Sequence, residues 1–334
     1  MKGVKIGWQS GVAVLTKEAK IILDPTISKR MGRNTHIFIT HAHADHTDGF
    51  RSGAKKYATP ETMAIYEKLN HKRLDDVVPV KLNQVAKVGN VTVTPINAGH
   101  MLGSVQFLVE TPEKRVLYTG DINCIDTLTT DAAHVAECDE LIMEATYGDP
   151  FYVFPNRHRI YARIVEWAAA QARKGKSPVF QVYAAGKAQE IVKLFNIYTT
   201  LPVMTNPSVS EVNDAHAEFG VRLDYENVSR EGQGSRGAHV FVTTYRDSLA
   251  STEKSARALA TGWALKMASR GLASFPLSSH ADFRQLVQYV RAARAKRVYI
   301  YTGYIDVFAN YLGRKLGVDA RSLPALTQTE LSDF

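Results

Sequence analysis

Four side chains that can bind a metal ion lie within six residues near the start of the chain. Residues 41–46 read HAHADH and follow a strand-like apolar run at 36–39. His41 and His43 are two residues apart, so an extended backbone points both imidazoles to the same side. Asp45 and His46 follow at the turn, where they can reach a second ion. Imidazoles with a carboxylate and no thiolate favour zinc over manganese or iron, so the sequence predicts a zinc site.

The bulk composition is that of an ordinary soluble protein. With 334 residues, the chain is long enough for about two domains, and its 45% hydrophobic and 22% charged residues are typical of globular proteins. No apolar run approaches the ~18 residues of a membrane helix, and residues 1–5 lack the apolar core of a signal peptide. We therefore expect a cytoplasmic protein in which the two cysteines, Cys124 and Cys138, are free.

The net charge of +8 favours a polyanionic partner such as a nucleic acid. Many basic proteins bind no nucleic acid, so the charge gains weight only beside a site whose chemistry fits phosphate.

The pattern of the chain changes near Pro155. Before it, residues 60–70 indicate a short helix, and short β-branched segments indicate strands at 12–15, 20–23, 36–39, 91–94, 105–109 and 115–118. After it come a helix from Asn156 to about Lys174, a strand at 179–183 and a helix at 186–198, an alternation typical of a parallel sheet. Residues 231–237 indicate a loop. After Leu277 we expect a loop, a helix at 283–295, a strand at 297–301 and a final helix.

Six landmarks in their order resemble the metallo-β-lactamase fold with a β-CASP insertion, which is the nucleic-acid-processing branch of that superfamily. They are Asp24 at a strand end, residues 41–46, Gly99-His100, residues 118–121 (YTGD), residues 141–148 (LIMEATYG) and residues 278–283 (SSHADF). The resemblance implies an α/β protein built as an αββα sandwich with an inserted α/β domain. We expect the sandwich at 1–154 and 262–334, the β-CASP domain at 155–261, and the active site in the cleft between them.

The same resemblance implies a centre of one or two zinc ions, with manganese as an alternative metal and a second site that is weak. Six side chains would hold the ions: His41, His43 and His100 the first, Asp45 and His46 the second, and Asp121 both. Asp24 would accept a hydrogen bond from a ligating histidine and fix its tautomer.

The implied chemistry is metal-assisted hydrolysis of a phosphodiester. His280 would protonate the leaving oxygen, Glu144 would orient His280 and raise its pKa, and Asp45 would also act in catalysis. An alternative role for His280 is the N-cap of the helix near Phe283.

Weaker expectations concern contacts with the substrate. Ser278, Ser279 and Lys187 would bind substrate phosphate. Four arginines would form a basic helix face, unless they are merely solvated: Arg157, Arg159, Arg163 and Arg173. Three aromatic residues would stack on bases, unless they pack in the core: Tyr147, Phe151 and Tyr152.

Two features favour DNA over RNA as the substrate. Thr302 stands where most RNA-processing members carry a histidine that binds the second ion. Residues 261–263 (TGW) are similar to a motif of the DNA-directed branch, which includes Artemis, the crosslink-repair exonucleases and the ligase-associated exonucleases. We expect a 5′-to-3′ exonuclease acting on single strands or structured ends in DNA repair.

Three alternatives stay open. The first is an RNA exonuclease or endonuclease of the same family, acting in RNA end processing or decay. The second is a small-molecule hydrolase such as a thioesterase or lactamase, against which the inserted domain and the Glu144–His280 pair argue. The third is a binding subunit without catalysis, against which the nearly complete ligand set argues.

Overall fold

The structure is a computed structural model that describes residues 3–26, 34–228, 238–245, 247, 254–267 and 272–326. In this part of the chain there are three β-sheets and six α-helices. The helices are α1 (Pro60–Asn70), α2 (Arg157–Arg173), α3 (Lys187–Tyr198), α4 (Pro207–Glu218), α5 (Phe283–Ala293) and α6 (Ile305–Leu316). None of these helices has the length and apolar character needed to cross a membrane. Cys124 and Cys138 are both free.

The first sheet holds six strands in chain order. They are β1 (Lys5–Trp8), β2 (Val12–Leu15), β3 (Lys20–Leu23), β4 (Thr35–Phe38), β5 (Lys55–Ala58) and β6 (Val77–Pro79). The first three strands are antiparallel, and from β3 onward the pairs are parallel. The helix α1 crosses from β5 to β6, and it begins where the Thr59 side chain accepts the backbone N–H of Thr62 and Pro60 takes the first helical position.

The second sheet holds seven strands in the order β19-β18-β11-β10-β9-β8-β7. They are β7 (Ala86–Val88), β8 (Val91–Asn97), β9 (Val105–Glu110), β10 (Arg115–Tyr118), β11 (Glu140–Ala145), β18 (Arg297–Gly303) and β19 (Asp319–Ser322). Because β11 and β18 are parallel neighbours, with Leu141 opposite Val298, all of the intervening chain is inserted between two adjacent strands.

The two sheets pack face to face. Phe38 of β4 and Phe107 of β9 meet edge to face at 5.2 Å in the shared core. Successive side chains of β11 point to opposite faces of the sheet. Ile142 enters this core, whereas Leu141 and Met143 pack on the other face against α5 and α6. On the far side of the first sheet, α1 covers its own apolar cluster. The αββα sandwich and the α/β class predicted from the sequence are therefore confirmed.

A third sheet, wholly parallel, forms the inserted domain with α2, α3 and α4. Its order is β14-β13-β15-β12-β16-β17, with strands β12 (Ser177–Gln181), β13 (Val203–Thr205), β14 (Glu226–Asn227), β15 (Val240–Thr243), β16 (Ser255–Ala260) and β17 (Ala273–Phe275). Apolar side chains of α2 and α3, Ile164 and Phe195 among them, cover one face of the sheet around Phe180. The connections fit the predicted alternation of strand and helix.

Two predicted positions in this domain need correction. The domain end expected at Thr261 falls inside the third sheet, because β17 pairs with β16 farther along the chain. A strand of three residues has too little periodicity to be seen in the sequence. The strand expected at 179–183 lies at Ser177–Gln181, so Tyr183 belongs to the loop that leads into α3. The loop expected at 231–237 lies outside the described residues.

Candidate metal centre

The predicted metal ligands lie in three loops that follow strand ends. His41 and His43 come directly after β4, His100 lies between β8 and β9, and Asp121 follows β10. Gly120 makes this convergence possible, because its φ of +53° and the closeness of Thr40, 2.8 Å from where a Cβ would stand, leave no room for a side chain.

Four ligand atoms form one compact group. His41 Nε2 and His100 Nε2 lie 3.1 and 3.0 Å from His43 Nδ1. Asp121 Oδ2 lies 3.6 Å from His41 Nε2 and 3.7 Å from His100 Nε2. His41 is fully buried, and His100 and Asp121 are nearly so. The structure thus brings together side chains from distant parts of the sequence, as the resemblance predicted.

The hydrogen bonds outside this group fix the tautomer of each ring. His41 Nδ1 lies 2.9 Å from Thr40 Oγ1, and that hydroxyl donates to Asp24 Oδ2 at 2.6 Å. Because the hydroxyl proton is used in this way, Thr40 accepts from His41 Nδ1–H. His100 Nδ1–H donates to the carbonyl of Ser279 at 2.8 Å. Both rings therefore present an unprotonated Nε2 to the centre.

His43 is held in the opposite sense. Its Nε2–H donates to the carbonyl oxygen of Ala185 at 3.2 Å, so Nδ1 is the nitrogen without a proton. Three lone pairs then face one another at the 3.0 and 3.1 Å separations, an arrangement that repels unless a cation stands among them. Two nitrogens bound to one tetrahedral zinc are about 3.3 Å apart, from Zn–N bonds of about 2.0–2.1 Å. The donor set fits a zinc ion.

Burial keeps these imidazoles neutral at neutral pH. It lowers the pKa of His43 to about 4. It also holds the pKa values of His41 and His100 well below their ordinary value, with a further lowering from neighbouring histidines. Neutral imidazole is the form that binds a metal ion. The Asp121 carboxyl differs, because burial raises its pKa to about 6 against the opposing charges of His46 and His280.

The residues expected at the second ion are more loosely arranged. His46 Nε2 lies 3.7 Å from Asp121 Oδ2 and 3.7 Å from Asp45 Oδ2, and the Asp45 side chain is 80% exposed. Neither Asp45 nor His46 belongs to the compact four-residue group. Burial alone would lower the pKa of His46, but the carboxylates of Asp121 and Asp24 raise it to about 10. An ion at this position has to displace a proton.

Asp24 is where the predicted supporting hydrogen bonds meet. Its Oδ2 accepts from His46 Nδ1 at 2.8 Å and from the Tyr118 hydroxyl at 3.0 Å, and its Oδ1 accepts the Thr40 N–H at 2.8 Å. It reaches His41 through the Thr40 hydroxyl. The residue has φ of +44°, which a non-glycine residue adopts at a cost of about 1 kcal/mol. This geometry suits a residue that orients ligands.

His280 and Glu144 form a second functional pair beside the centre. His280 Nδ1 lies 2.8 Å from Glu144 Oε1, and its Nε2 is 4.0 Å from Asp121 Oδ2. Glu144 is fully buried and also accepts the backbone N–H of Ile122 at 2.8 Å. Burial opposes the charge on His280, but Glu144 and Asp121 raise its pKa above the ordinary 6.5. Although burial favours its neutral form, Glu144 has a lowered pKa because of His280.

The alternative role of His280 as a helix cap is excluded by its neighbour. Asp282 is the N-cap of α5, and its side chain accepts the Gln285 N–H at 2.9 Å in a capping box. His280 is not needed as a cap, and its Nε2 faces Asp121 of the metal centre.

The three predicted phosphate contacts fare differently. Ser278 is buried, and its hydroxyl binds the N–H of His280 at 2.9 Å and the His280 carbonyl at 3.1 Å, so it shapes the loop and is no free phosphate ligand. Ser279 is partly exposed and supports His100 through its carbonyl. Lys187 begins α3 with little exposure, and burial lowers its pKa to about 8.

One predicted basic surface is wrong in part. Arg159, Arg163 and Arg173 are exposed on α2, but Arg157 is buried and pairs with Glu190 of α3. The sequence holds a signal for this burial, because Arg157 lies three and seven residues before the apolar Ile160 and Ile164, on the face that packs inward. Sequence reasoning missed three further residues that contact these groups. Thr40 contacts His41, Tyr183 lies beside His43, and Glu190 pairs with Arg157.

A sequence profile decides the family. The profile described as "Beta-lactamase superfamily domain" matches residues 14–180, which is half of the chain. The chain belongs to the beta-lactamase superfamily. The superfamily match spans the metal-binding loops after β4, β8 and β10, and it confirms the resemblance seen in the motifs.

Relatives in the superfamily include several nucleases. A "Probable DNA ligase" of Opitutus terrae is 29% identical over 308 residues, covering 88% of this chain and 29% of that protein. The "5' exonuclease Apollo" of Gallus gallus is 27% identical, covering 79% of this chain and 57% of its own length. An "RNase J-like protein" of Methanocaldococcus jannaschii is 28% identical, covering 63% and 58%. The chain spans less than two thirds of each relative. These names confirm the likeness to β-CASP nucleases that the motifs indicated.

A solved structure supports the same fold. The crystal structure of a protein of unknown function from Enterococcus faecalis V583 superposes with a TM-score of 0.65 at 14% identity, covering 89% of this chain and 93% of that one.

Proposed function

We propose that this chain is a zinc-dependent nuclease that removes nucleotides from the 5′ ends of single-stranded or structured DNA during repair. The observation that supports it most is that two groups adjoin at Asp121: the compact group of His41, His43, His100 and Asp121, and the Glu144–His280 pair. A thioesterase or lactamase needs a metal centre but has no use for an imidazole held by a buried carboxylate beside it.

The residues divide the chemistry among them. His41, His43, His100 and Asp121 would hold the first ion, and Asp45 and His46 would hold the second with Asp121. A bound zinc ion supplies a water acidified to about neutral pH and a positive charge beside the phosphate. Asp24 orients two of these rings: that of His41 through the Thr40 hydroxyl, and that of His46 directly.

His280 is the proton donor in this proposal. Its Nδ1–H is held by Glu144, which leaves Nε2–H to donate to the 3′ oxygen as the P–O bond breaks. The charge of Glu144 stabilises the imidazolium before transfer, and its three hydrogen bonds, to His280, Ile122 and Thr146, keep the carboxylate fixed. His280 Nε2 lies 4.0 Å from Asp121 Oδ2, which would help to hold the metal.

Lys187 would bind a phosphate of the substrate. Among the described residues no carboxylate pairs with its ammonium, because Glu190 is engaged by Arg157. The charge of Lys187 also opposes the rise in the pKa of His280. A phosphate at this position would pair with the ammonium of Lys187 and so offset the free energy that burial of its charge costs. Ser279, which is partly exposed and contacts His100 through its carbonyl, would contribute a hydroxyl.

Three observations favour DNA. The relative from Opitutus terrae is named a DNA ligase and covers most of this chain, and the Gallus gallus relative is named a 5′ exonuclease. Thr302 lies opposite Glu144 in the β11–β18 ladder. A hydroxyl is a poor zinc ligand, so a threonine at this position favours a weak second metal site. The third observation concerns the TGW segment at 261–263. The ring centroid of Trp263 lies 4.9 Å from that of Tyr147, and the Tyr147 centroid lies 6.1 Å from that of His280, so this segment packs next to the proposed proton donor.

RNA is the second candidate substrate, supported by the RNase J-like relative. A cytoplasmic location stays a prediction.

The test uses matched single-stranded DNA and RNA, each with a 5′ phosphate or a 5′ hydroxyl and a 3′ label. We expect the zinc-loaded protein to shorten 5′-phosphorylated DNA faster than the other three substrates. Lys187→Ala should remove the preference for the 5′ phosphate, whereas Lys176→Ala, at an exposed lysine, should keep it. Faster cutting of RNA would reverse the proposed substrate, and cutting of neither would refute the nuclease.

A further inference from the structure

Two tyrosines of the inserted domain form an exposed pair beside the metal centre. Tyr183 follows β12 and is 62% exposed, and Tyr245 follows β15 and is 41% exposed. Their rings meet edge to face, with centroids 5.4 Å apart. Both strands are parallel and adjacent, so their carboxyl ends bring the two residues to the same edge of the sheet. Two exposed aromatic rings that contact each other offer a flat apolar surface on which a ligand ring can stack.

The pair is held at a fixed place relative to the metal ligands. The centroid of the Tyr183 ring is 5.9 Å from that of His43. Ala185, two residues farther along, accepts the His43 Nε2–H at 3.2 Å. The segment that carries Tyr183 is therefore tied to a ligand of the first ion. A nucleotide with its phosphate at the metal centre has its base within reach of this ring.

Tyr183 and His280 contact different histidines of the centre. The Tyr183 ring lies beside His43, and the His280 ring lies 4.6 Å from that of His100. The rings of His43 and His100 are 4.9 Å apart. In the proposed mechanism His280 donates to the leaving 3′ oxygen, so the nucleotide that keeps the phosphate would extend toward His43.

We propose that Tyr183, supported by Tyr245, stacks on the base of the nucleotide that follows the scissile phosphate. The inference rests on the proposed nuclease function and names a binding subsite within it. Every base has an aromatic face, so such a contact binds without choosing a sequence. It requires a base that is free of its partner strand, which makes the subsite selective for single strands or frayed ends.

The other exposed aromatic residues near the cleft are less suited to this task. Lys266 Nζ already lies 4.9 Å from the Phe151 ring centroid and 4.6 Å from that of Tyr152. A cation over these rings occupies the place that a base would take. The Tyr183–Tyr245 pair has no such cation among the described residues.

The experiment combines a residue change with a missing base. The substrate is 5′-phosphorylated single-stranded DNA, either intact or with an abasic site at the second nucleotide, whose base follows the first scissile phosphate. For the zinc-loaded wild-type protein we expect the abasic site to raise KM by about five- to hundredfold, the range of one stacked base. Tyr183→Ala should raise KM on intact DNA by a similar factor with little change in kcat, and should erase the penalty of the abasic site.

Two further variants separate stacking from folding. Tyr183→Phe keeps the ring and should behave as wild type. Tyr198→Ala removes a tyrosine of similar exposure, 53%, from the far end of α3 and should also behave as wild type. An abasic penalty that persists in Tyr183→Ala, or equal behaviour of Tyr183→Ala and Tyr198→Ala, overturns the inference while the nuclease stands.

A wild-type protein that cuts no nucleic acid refutes the proposed function separately. The same proteins and oligonucleotides then decide the stacking by fluorescence anisotropy. An affinity loss confined to Tyr183→Ala on intact DNA supports the subsite, and equal affinities overturn it.

Discussion

Arg157 Nη1 donates a hydrogen bond to the carbonyl oxygen of Ser278 at 3.0 Å. This contact joins the first helix of the inserted domain to the loop that carries His280. The rest of the guanidinium is used by Glu190, whose two oxygens lie 2.7 Å from Nε and 2.7 Å from Nη2. The Tyr161 hydroxyl completes the buried group. The inserted domain therefore helps to position the loop of His280, the proposed proton donor.

Arg157→Ala should damage both stability and catalysis. Removing one partner of a buried ion pair leaves Glu190 unpaired, which lowers the free energy of unfolding by about 3–5 kcal/mol. The loop at Ser278 also loses its anchor, so we expect a fall in kcat larger than the change in KM. Chemical denaturation and steady-state kinetics measure the two effects.

The double variant Arg157→Leu with Glu190→Leu separates these two effects. An apolar pair of similar volume restores much of the stability, but it gives Ser278 no donor, so kcat should stay low. Arg159→Ala, at an exposed position on the same helix, should change neither. Full recovery of kcat in the double variant would limit Arg157 to a role in folding.

His43→Asn should lose the first ion. The change removes one of three lone pairs that converge at 3.0 and 3.1 Å, so metal content at low zinc should fall from about one ion per chain toward none. The apparent stability gained from zinc, about 4 kcal/mol at a thousandfold excess over Kd, should disappear with it. His158→Gln, at an exposed histidine of α2, is the matched control. Unchanged metal content and Tm in His43→Asn would place the ion elsewhere.

The meeting of His41, His43, His100 and Asp121 could be predicted because the sequence signals for it are local. Residues 41–46 supply spacing, strand and turn in one short stretch, and the glycines before His100 and Asp121 mark close backbone passage. Strong periodicity likewise predicted α1 at Pro60–Asn70 and α2 with its Asn156 cap almost to the residue. In such segments local preference and tertiary structure agree.

Features that depend on tertiary partners escaped prediction. Arg157 is charged, yet it is buried, because Glu190 and the Ser278 carbonyl satisfy it from other elements. Ser278 turns its hydroxyl to His280 for a similar reason. The strand β17 exists only by pairing with β16, and the position of Tyr183 beside His43 depends on how the inserted domain lies on the sandwich. Apart from the helical spacing of Arg157 from Ile160 and Ile164, periodicity shows none of these features.

The two ions should differ in how their binding depends on pH. The histidine ligands of the first ion are already neutral at pH 7, since burial lowers the pKa of His43 to about 4 and those of His41 and His100 also lie well below the ordinary value. Its affinity should therefore be nearly flat between pH 6.5 and pH 8.5 as far as these rings are concerned. The second ion must displace the proton that Asp121 and Asp24, acting against burial, hold on His46 with a pKa of about 10.

The affinity for the second ion should accordingly rise by about tenfold per pH unit in the same range, with release of one proton. Isothermal titration of the apo protein with zinc, repeated in buffers of different ionisation enthalpy, counts the protons. His46→Asn should remove the second, proton-releasing event and keep the first. Proton release with the first ion, and none with the second, would contradict the assignment.

The alkaline side of the pH profile should report His280. Burial opposes its charge, but Glu144 and Asp121 together hold its pKa above 6.5. A donor must be protonated, so kcat should fall as pH rises through this raised value. Glu144→Gln keeps an oxygen for the hydrogen bond and removes the negative charge, so the fall should move to lower pH. His280→Ala should lower kcat by about 10²–10⁴ and abolish that limb.

Glu166→Gln, an exposed change on α2, is the control for the loss of one carboxylate and should leave the limb in place. A limb that keeps its position in Glu144→Gln, with kcat unchanged on either side of it, would show that the titrating group is a different one. A limb that moves upward would mean that Glu144 lowers the pKa of the group concerned, which a carboxylate accepting a hydrogen bond from His280 at 2.8 Å cannot do. A downward shift in Glu144→Gln, together with the loss of the limb in His280→Ala, therefore assigns the limb to His280.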